Sequence, residues 1–204
     1  MPTGSRIARG NAATVVEKVH VKHQSKRELR ASLLKLRATL SEASRRAHDA
    51  AIGAAVTAWL KSYPVQVLGV YWPIRGEPDL REVYPQLIAA GVRLALPVMV
   101  ENDAPLVFAG WAPGEPVEMD RWGIATPTAA VGITPQALLI PCVGYDGRGF
   151  RIGYGAGFYD RTLAHLPQVQ AIGIAYTIGR ADFEVEPHDR AMDVMITETA
   201  VTPE

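Results

Sequence analysis

With one cysteine, Cys142, in 204 residues, this chain cannot form an intramolecular disulfide, so packing and hydrogen bonds must hold its fold. It also lacks net charge. Its 21 Lys and Arg balance 21 Asp and Glu, which removes the electrostatic reason to expect nucleic acid or an anionic membrane as partner. No stretch is long and apolar enough to span a bilayer, and the first two dozen residues lack the continuous apolar centre of a secretory signal. Together these absences point to a cytoplasmic protein, because a lone thiol agrees with a reducing compartment. Cys142 sits in an apolar run and is expected to act as a small buried hydrophobe rather than a reactive thiol.

What is present is a large apolar fraction, 48% of the chain, enough to bury a sizeable core. Charge is unevenly placed. Residues 1–30 carry Arg6, Arg9, Lys18, Lys22, Lys26, Arg27 and Arg30 against Glu17 and Glu28, an acid-poor composition that would also suit an organelle transit peptide. The reading adopted is a flexible basic arm over residues 1–24, followed by one domain over 25–204.

Ser25-Lys-Arg-Glu28 has the form of a capping box. Leu29, Leu33, Leu36 and Leu40 behind it recur at helical spacing, which predicts a helix through about Ala38. Ser41 is expected to cap a second helix, Glu42 to Lys61, and Asp79 a third that reaches about Ala90. The predicted strands are Val65–Tyr71, Arg93–Met99, Leu106–Ala109, Ala137–Val143, Ala171–Ala175 and Val194–Thr197. A further helix is expected from Phe158 to Leu166. Proline and glycine punctuation from Pro113 to Pro135 predicts a loop region with little regular structure. Strands alternating with helices predict an α/β fold: a single three-layer α/β/α domain with a mostly parallel central sheet. Ligands of such sheets collect at the carboxyl ends of the strands, where the loops 73–79 and 144–160 both fall.

The second of those loops is the most unusual segment. Gly153, Gly155 and Gly157 alternate just before a predicted helix, so successive backbone N–H groups can converge on an anion beside the positive end of the helix. Arg148, Arg151 and Arg161 flank it. No Gly-Lys-Ser/Thr follows, so this is not a Walker loop, and G-x-G-x-G is not the dinucleotide spacing. A tight strand-to-helix turn without ligand would explain the glycines about as well.

Four segments carry a family resemblance. They are Lys26-Arg-Glu-Leu-Arg30, Trp72-Pro-Ile-Arg-Gly-Glu77-Pro-Asp79, the run Leu139–Asp146 continued by Arg151-Ile-Gly-Tyr-Gly-Ala-Gly-Phe-Tyr-Asp160-Arg161, and Pro187-His-Asp189-Arg-Ala-Met-Asp193. In this order they resemble the 5-formyltetrahydrofolate cyclo-ligase family. Ala156 and Phe158 stand where glycine and tyrosine are common. The resemblance implies use of ATP and Mg²⁺ to convert a reduced folate, 5-formyltetrahydrofolate, into 5,10-methenyltetrahydrofolate. It assigns ATP to Lys26, Arg30, Arg151, Ile152, Gly153, Tyr154, Gly155, Ala156, Gly157, Phe158 and Tyr159. The folate falls to Trp72, Glu77 and Trp122, and to the same loop from Tyr154 to Phe158. Metal is assigned to Asp160 and Asp189, and catalysis to Arg151, Tyr159 and Asp160.

Other readings stand beside these. Lys26 and Arg30 could form a solvated basic face, Asp160 could be a helix-start acid paired with the dipole, and the aromatics could be core. His188 reads equally well as a turn histidine and is left without a role. A catalytically silent nucleotide- or folate-binding regulator on the same fold is the alternative to an enzyme. A sugar-phosphate isomerase or acyl-CoA transferase on a related scaffold is weaker, since fold analogy carries little weight. The implied partners are small molecules only, on a monomer or weak oligomer.

Overall fold

A computed structural model describes residues 25–120, 123–128, 132–187 and 189–202. The chain begins with α1 (Lys26–Ala38) and α2 (Glu42–Ser62), followed by β1 (Val67–Gly69), α3 (Tyr84–Ala89), β2 (Arg93–Val98) and β3 (Val107–Gly110). Two short strands, β4 (Val117–Met119) and β5 (Ala125–Pro127), precede β6 (Ala137–Pro141). Then come β7 (Gly144–Tyr145), β8 (Arg151–Ile152), α4 (Phe158–His165), β9 (Gln170–Ile174), β10 (Val194–Ile196) and β11 (Val201–Thr202).

The first two helices begin where their caps require. Ser25 Oγ accepts from Glu28 N at 3.3 Å, while Ser25 N donates to Glu28 Oε2 at 3.0 Å, closing the capping box. Ser41 Oγ accepts from Ser44 N at 3.1 Å and starts α2. The third helix departs from expectation. Asp79 Oδ1 accepts from Arg81 N at 3.0 Å in a turn of its own, and α3 starts five residues later with Pro85 in its first turn and no side-chain cap. Proline's fixed φ and missing N–H suit that position, so the start needs no capping residue.

Seven strands form one sheet in the order β11-β10-β9-β6-β1-β2-β3. The pairs β2–β1, β1–β6, β6–β9 and β9–β10 are parallel, whereas the edge strands β3 and β11 run antiparallel to their neighbours. Both faces are covered. Alternate residues of β6 show this: Ala137 and Leu139 join Ile52, Val56 and Trp59 of α2 and Leu87 of α3, while Leu138 and Ile140 join Leu163 of α4. The expected three-layer α/β/α arrangement is therefore present. The region Pro113–Pro135 is not irregular throughout, because β4 and β5 pair as an antiparallel hairpin. Within the glycine-rich segment, β7 and β8 form another. Cys142 is buried as expected. Its thiol donates to Ile140 O at 3.3 Å, and burial pushes its pKa up to about 12. Residues 1–24 lie outside the described residues. Among the described residues no helix is long and apolar enough to cross a membrane.

The chain turns outward from both sides of β1: β2 lies on one side and β6 on the other. That makes the carboxyl ends of β1 and β6 the topological switch point, where the two connections diverge and leave a crevice. The packing of α1 beside it is unexpected. Helical periodicity suggests a leucine face, yet Leu36 is 43% exposed, and the buried positions are Leu33 and Arg37. Leu33 packs on Val143, just before β7, and on Ile152 of β8. A Cβ at Gly144 would lie 2.4 Å from Leu33 Cδ1 and 3.0 Å from Gly179 O, so the helix seats only on a residue without a side chain. Gly144→Ala is expected to lower stability by about 1–3 kcal/mol and to loosen α1. Urea unfolding checks this, and an unchanged midpoint would show that the seat has slack.

Candidate active site

Lys26, Arg30, Leu33 and Arg37 follow one another at four-, three- and four-residue intervals and so share one face of α1. Seating Leu33 on Gly144 points that whole face at the crevice. Lys26 Nζ lies 2.6 Å from Asp189 Oδ2 and 3.5 Å from Glu186 Oε1. Arg30 Nε donates to Gly153 O at 2.6 Å.

The glycine segment passes below. Gly155 has φ +92° and Gly157 φ +71°, a left-handed conformation that residues with a Cβ adopt at a cost. Gly157 is the N-cap of α4 and leaves that helix start without a side-chain cap. Arginines hold the segment from both sides: a Cβ at Gly155 would lie 3.2 Å from Arg30 Cζ, and Arg161 Nη2 donates to Ala156 O at 3.0 Å. The Arg151 side chain is 6% exposed, and its Nη2 reaches Asp160 Oδ1 at 2.5 Å. Arg148, expected beside this loop, faces away from it. It pairs with the buried Asp146 at 2.6 Å and donates to Phe183 O at 3.1 Å, because Asp146 also closes the hairpin turn through the N–H groups of Arg148 and Phe150.

Opposite lies the loop after β1. Glu77 is 5% exposed, and its Oε2 accepts from Ile74 N at 2.9 Å. Burial raises its carboxyl from 4.5 to about 7, although Ile74 N–H, Arg37, the Tyr154 hydroxyl and Arg75 all favour the ionised form. Trp72 packs edge-on to Trp111 at 5.9 Å, with Arg81 over its ring at 5.0 Å.

These walls enclose a cavity of about 650 Å³, within the range of small-molecule sites. Lys26, Arg30, Trp72, Glu77, Arg151, Asp160, Asp189 and the segment 152–159 all line it. Such a cavity, with opposed cations and carboxylates at one end and a buried carboxyl among aromatic rings at the other, suits a ligand that is anionic at one end and flat at the other.

A profile of the 5-formyltetrahydrofolate cyclo-ligase family matches residues 22–198. The chain belongs to the 5-formyltetrahydrofolate cyclo-ligase family. The 5-formyltetrahydrofolate cyclo-ligase of Mycolicibacterium smegmatis is 32% identical over 189 residues, covering 85% of this chain and 94% of the relative. That of Escherichia coli K12 is 31% identical over 155 residues, covering 70% and 85%. A 5,10-methenyltetrahydrofolate synthetase structure from Mycoplasma pneumoniae has a TM-score of 0.73 at 25% identity and covers 86% of this chain and 99% of that one. Its counterpart from Aquifex aeolicus, solved by NMR, gives 0.74 at 27% identity, with 86% and 91% covered.

In this cyclo-ligase family member, Trp122 and His188 lie outside the described residues. Tyr159 lines the cavity while its ring packs on the core under α4, and burial raises its hydroxyl pKa. Sequence reasoning passed over Arg27, Arg75, Asp120, Ile124 and Glu186, which also line the cavity. It missed Arg37 as well, which stands behind the wall. Its signal was the spacing from Lys26 and Arg30, which puts all three cations on one stripe.

Glu77 should make stability depend on pH. The unfolded chain ionises this carboxyl near pH 4.5 and the folded chain near 7, so the native state is fully favoured below 4.5. It loses about 3 kcal/mol as pH rises through that window. Relative to wild type, Glu77→Gln should gain stability from about pH 4.5 upward and level off above 7. Urea unfolding across pH checks this, and a pH-independent difference would mean that the carboxyl titrates normally.

Proposed function

We propose that this chain converts 5-formyltetrahydrofolate and ATP into 5,10-methenyltetrahydrofolate, ADP and phosphate. The observation that carries the reading is the convergence of Lys26, Arg30, the glycine segment, Arg151, Asp160 and Glu77 on one cavity. The nucleotide would lie along the segment 152–159. Its phosphates would meet Lys26 and Arg30, and backbone N–H groups freed by Gly155 and Gly157 would face them. Glu77 would accept N–H donors from the pterin, and Trp72 would offer it a flat face.

Magnesium fits the carboxylates that are present. Asp160 and Asp189 both line the cavity, while no group of three or more potential ligands occurs among the described residues. Magnesium favours few carboxylates and completes its shell with water and phosphate oxygens, so two aspartates suffice for a cation shared with a triphosphate. When bound, it would neutralise charge on the phosphates being separated.

In the reaction, the formyl oxygen attacks the γ-phosphorus and the bond to the β-phosphate oxygen breaks, releasing ADP. N10 then adds to the activated carbon and gives up its proton, the carbon–oxygen bond breaks, and phosphate departs with both electrons. The protein's part is positioning and charge neutralisation. Arg151, paired with Asp160 and little exposed, would steady the transferred group, while Lys26 and Arg30 would hold the remaining phosphates. Before ligand arrives, Lys26 and Arg151 are each paired with a carboxylate, and phosphate would replace those partners.

The test is absorbance detection of 5,10-methenyltetrahydrofolate with and without ATP and Mg²⁺. Product should require both, and chelation should abolish it. Asp160→Asn should lower turnover by about a hundredfold or more while folate affinity persists. Near-normal turnover and magnesium dependence in that variant would remove the metal role from Asp160. Product formed without ATP would remove the proposed reaction.

A further inference from the structure

Arg37 is 4% exposed, on the far side of α1 from solvent. Its Nη2 donates to two groups, Arg75 O at 2.9 Å and Tyr154 Oη at 2.5 Å. Its Nε and Nη1 are buried without a hydrogen-bond partner. A buried guanidinium so incompletely satisfied is a poor device for stability alone, so the groups that it does reach matter.

Arg75 is, among the described residues, the non-glycine residue at positive φ, +49°, and Gly76 follows at +72°. This left-handed pair reverses the chain so that Glu77 folds back onto Ile74 N. Arg37 holds the carbonyl of the strained residue. On the other side, by donating to the Tyr154 hydroxyl oxygen, it leaves that hydroxyl's own hydrogen free to face Glu77, whose ionised form the Tyr154 hydroxyl favours. One guanidinium thus braces both the turn that carries Glu77 and the tyrosine that touches it.

We propose that Arg37 is a positioning residue, which from behind the cavity fixes the Arg75–Gly76 turn and the Tyr154 hydroxyl so that Glu77 is held ready for the reduced pterin. The inference rests on the assignment of Glu77 to the folate. Glu77 is faced by Arg37 from α1, Arg75 from its own turn, Tyr71 after β1, Cys142 after β6, Tyr154 after β8 and Tyr159 from α4. Of these, the two arginines favour its ionised form by charge. Arg75 is exposed, so solvent screens it, and the buried Arg37 is the stronger support. Without Arg37, Glu77 should stay protonated to higher pH and lose acceptor capacity for pterin N–H groups.

The experiment measures kcat/KM for 5-formyltetrahydrofolate and for ATP across pH in wild type, Arg37→Met, Arg37→Lys, Glu77→Gln and the Arg37→Met/Glu77→Gln double variant. Arg37→Gln replaces Arg37→Met should the methionine variant fail to fold. Arg37→Met should lower kcat/KM for the folate about tenfold at pH 7 and move its acid limb up by about one pH unit. For ATP at saturating folate, kcat/KM should stay within about twofold of wild type, since only the folate wall is disturbed. Arg37→Lys keeps the charge, so its acid limb should stay within about half a pH unit of wild type. On the Glu77→Gln background Arg37→Met should do little more, the non-additivity expected of residues acting through one another. Folate and ATP parameters falling together, an unmoved acid limb, or additive effects would overturn the inference and leave Arg37 a packing residue. If Glu77→Gln leaves folate kcat/KM at the wild-type value, the Glu77 assignment falls and this inference falls with it. If Glu77→Gln weakens folate while the Arg37 variants do not, this inference falls alone.

Discussion

The contact between Leu33 and Gly144 places an amino-terminal helix over the carboxyl ends of strands distant in sequence. Leu33 packs on Val143 and Ile152, at the point where β6 ends and the β7–β8 hairpin leaves the sheet. Because Lys26, Arg30 and Arg37 share the face that Leu33 anchors, one apolar contact sets the direction of three cations. Without it α1 would keep its capping box and its helix. It would lose its relation to the glycine segment, to Asp189 and to the loop bearing Glu77.

The crevice it covers follows from strand order. With β2 on one side of β1 and β6 on the other, the loops after β1 and β6 part company at their carboxyl ends. One carries Glu77, the other leads into Arg151 and the glycine segment. Charge is then arranged in opposed pairs, Lys26 with Asp189 and Arg151 with Asp160. A cavity holding several unpaired charges would be costly to keep, and pairing removes that cost while keeping each group close to where a phosphate-bearing ligand is proposed to lie.

Where local chemistry decides structure, the sequence was legible. Ser25 with Glu28 and Ser41 with Ser44 begin α1 and α2, and the continuous apolar run of β6 marks a strand buried on both faces. The glycine segment announces itself by spacing, and the family resemblance names Lys26, Trp72, Glu77, Asp160 and Asp189, all of which line the cavity. Illegible features are those fixed by distant partners. The hairpin β4–β5 is built of two three-residue strands, β4 partly exposed and β5 burying Ala125 and Pro127, too short for a period to mark it among its prolines and glycines. Asp79 resembles a helix cap, but its carboxylate is taken by Arg81. Nothing local marks Arg37 for burial, since leucine periodicity points to Leu36 instead, and the seat on Gly144 is what buries Arg37 and exposes Leu36.

The sequence by itself determined the α/β character, the starts of α1, α2 and α4, the glycine conformations available before α4 and the residue types able to meet phosphate, cation and pterin. These follow from properties that each residue carries with it: a cap's oxygen, a missing Cβ, a charge, an alternation of apolar side chains. Tertiary structure alone decided which of them meet. Lys26 pairs with Asp189 across 163 positions of chain, and Arg30 reaches Gly153 across 123. The pKa of Glu77 rises to about 7 because folding removes its water. No local rule could supply these, since each depends on a desolvated contact between segments that only the order of strands in the sheet brings together.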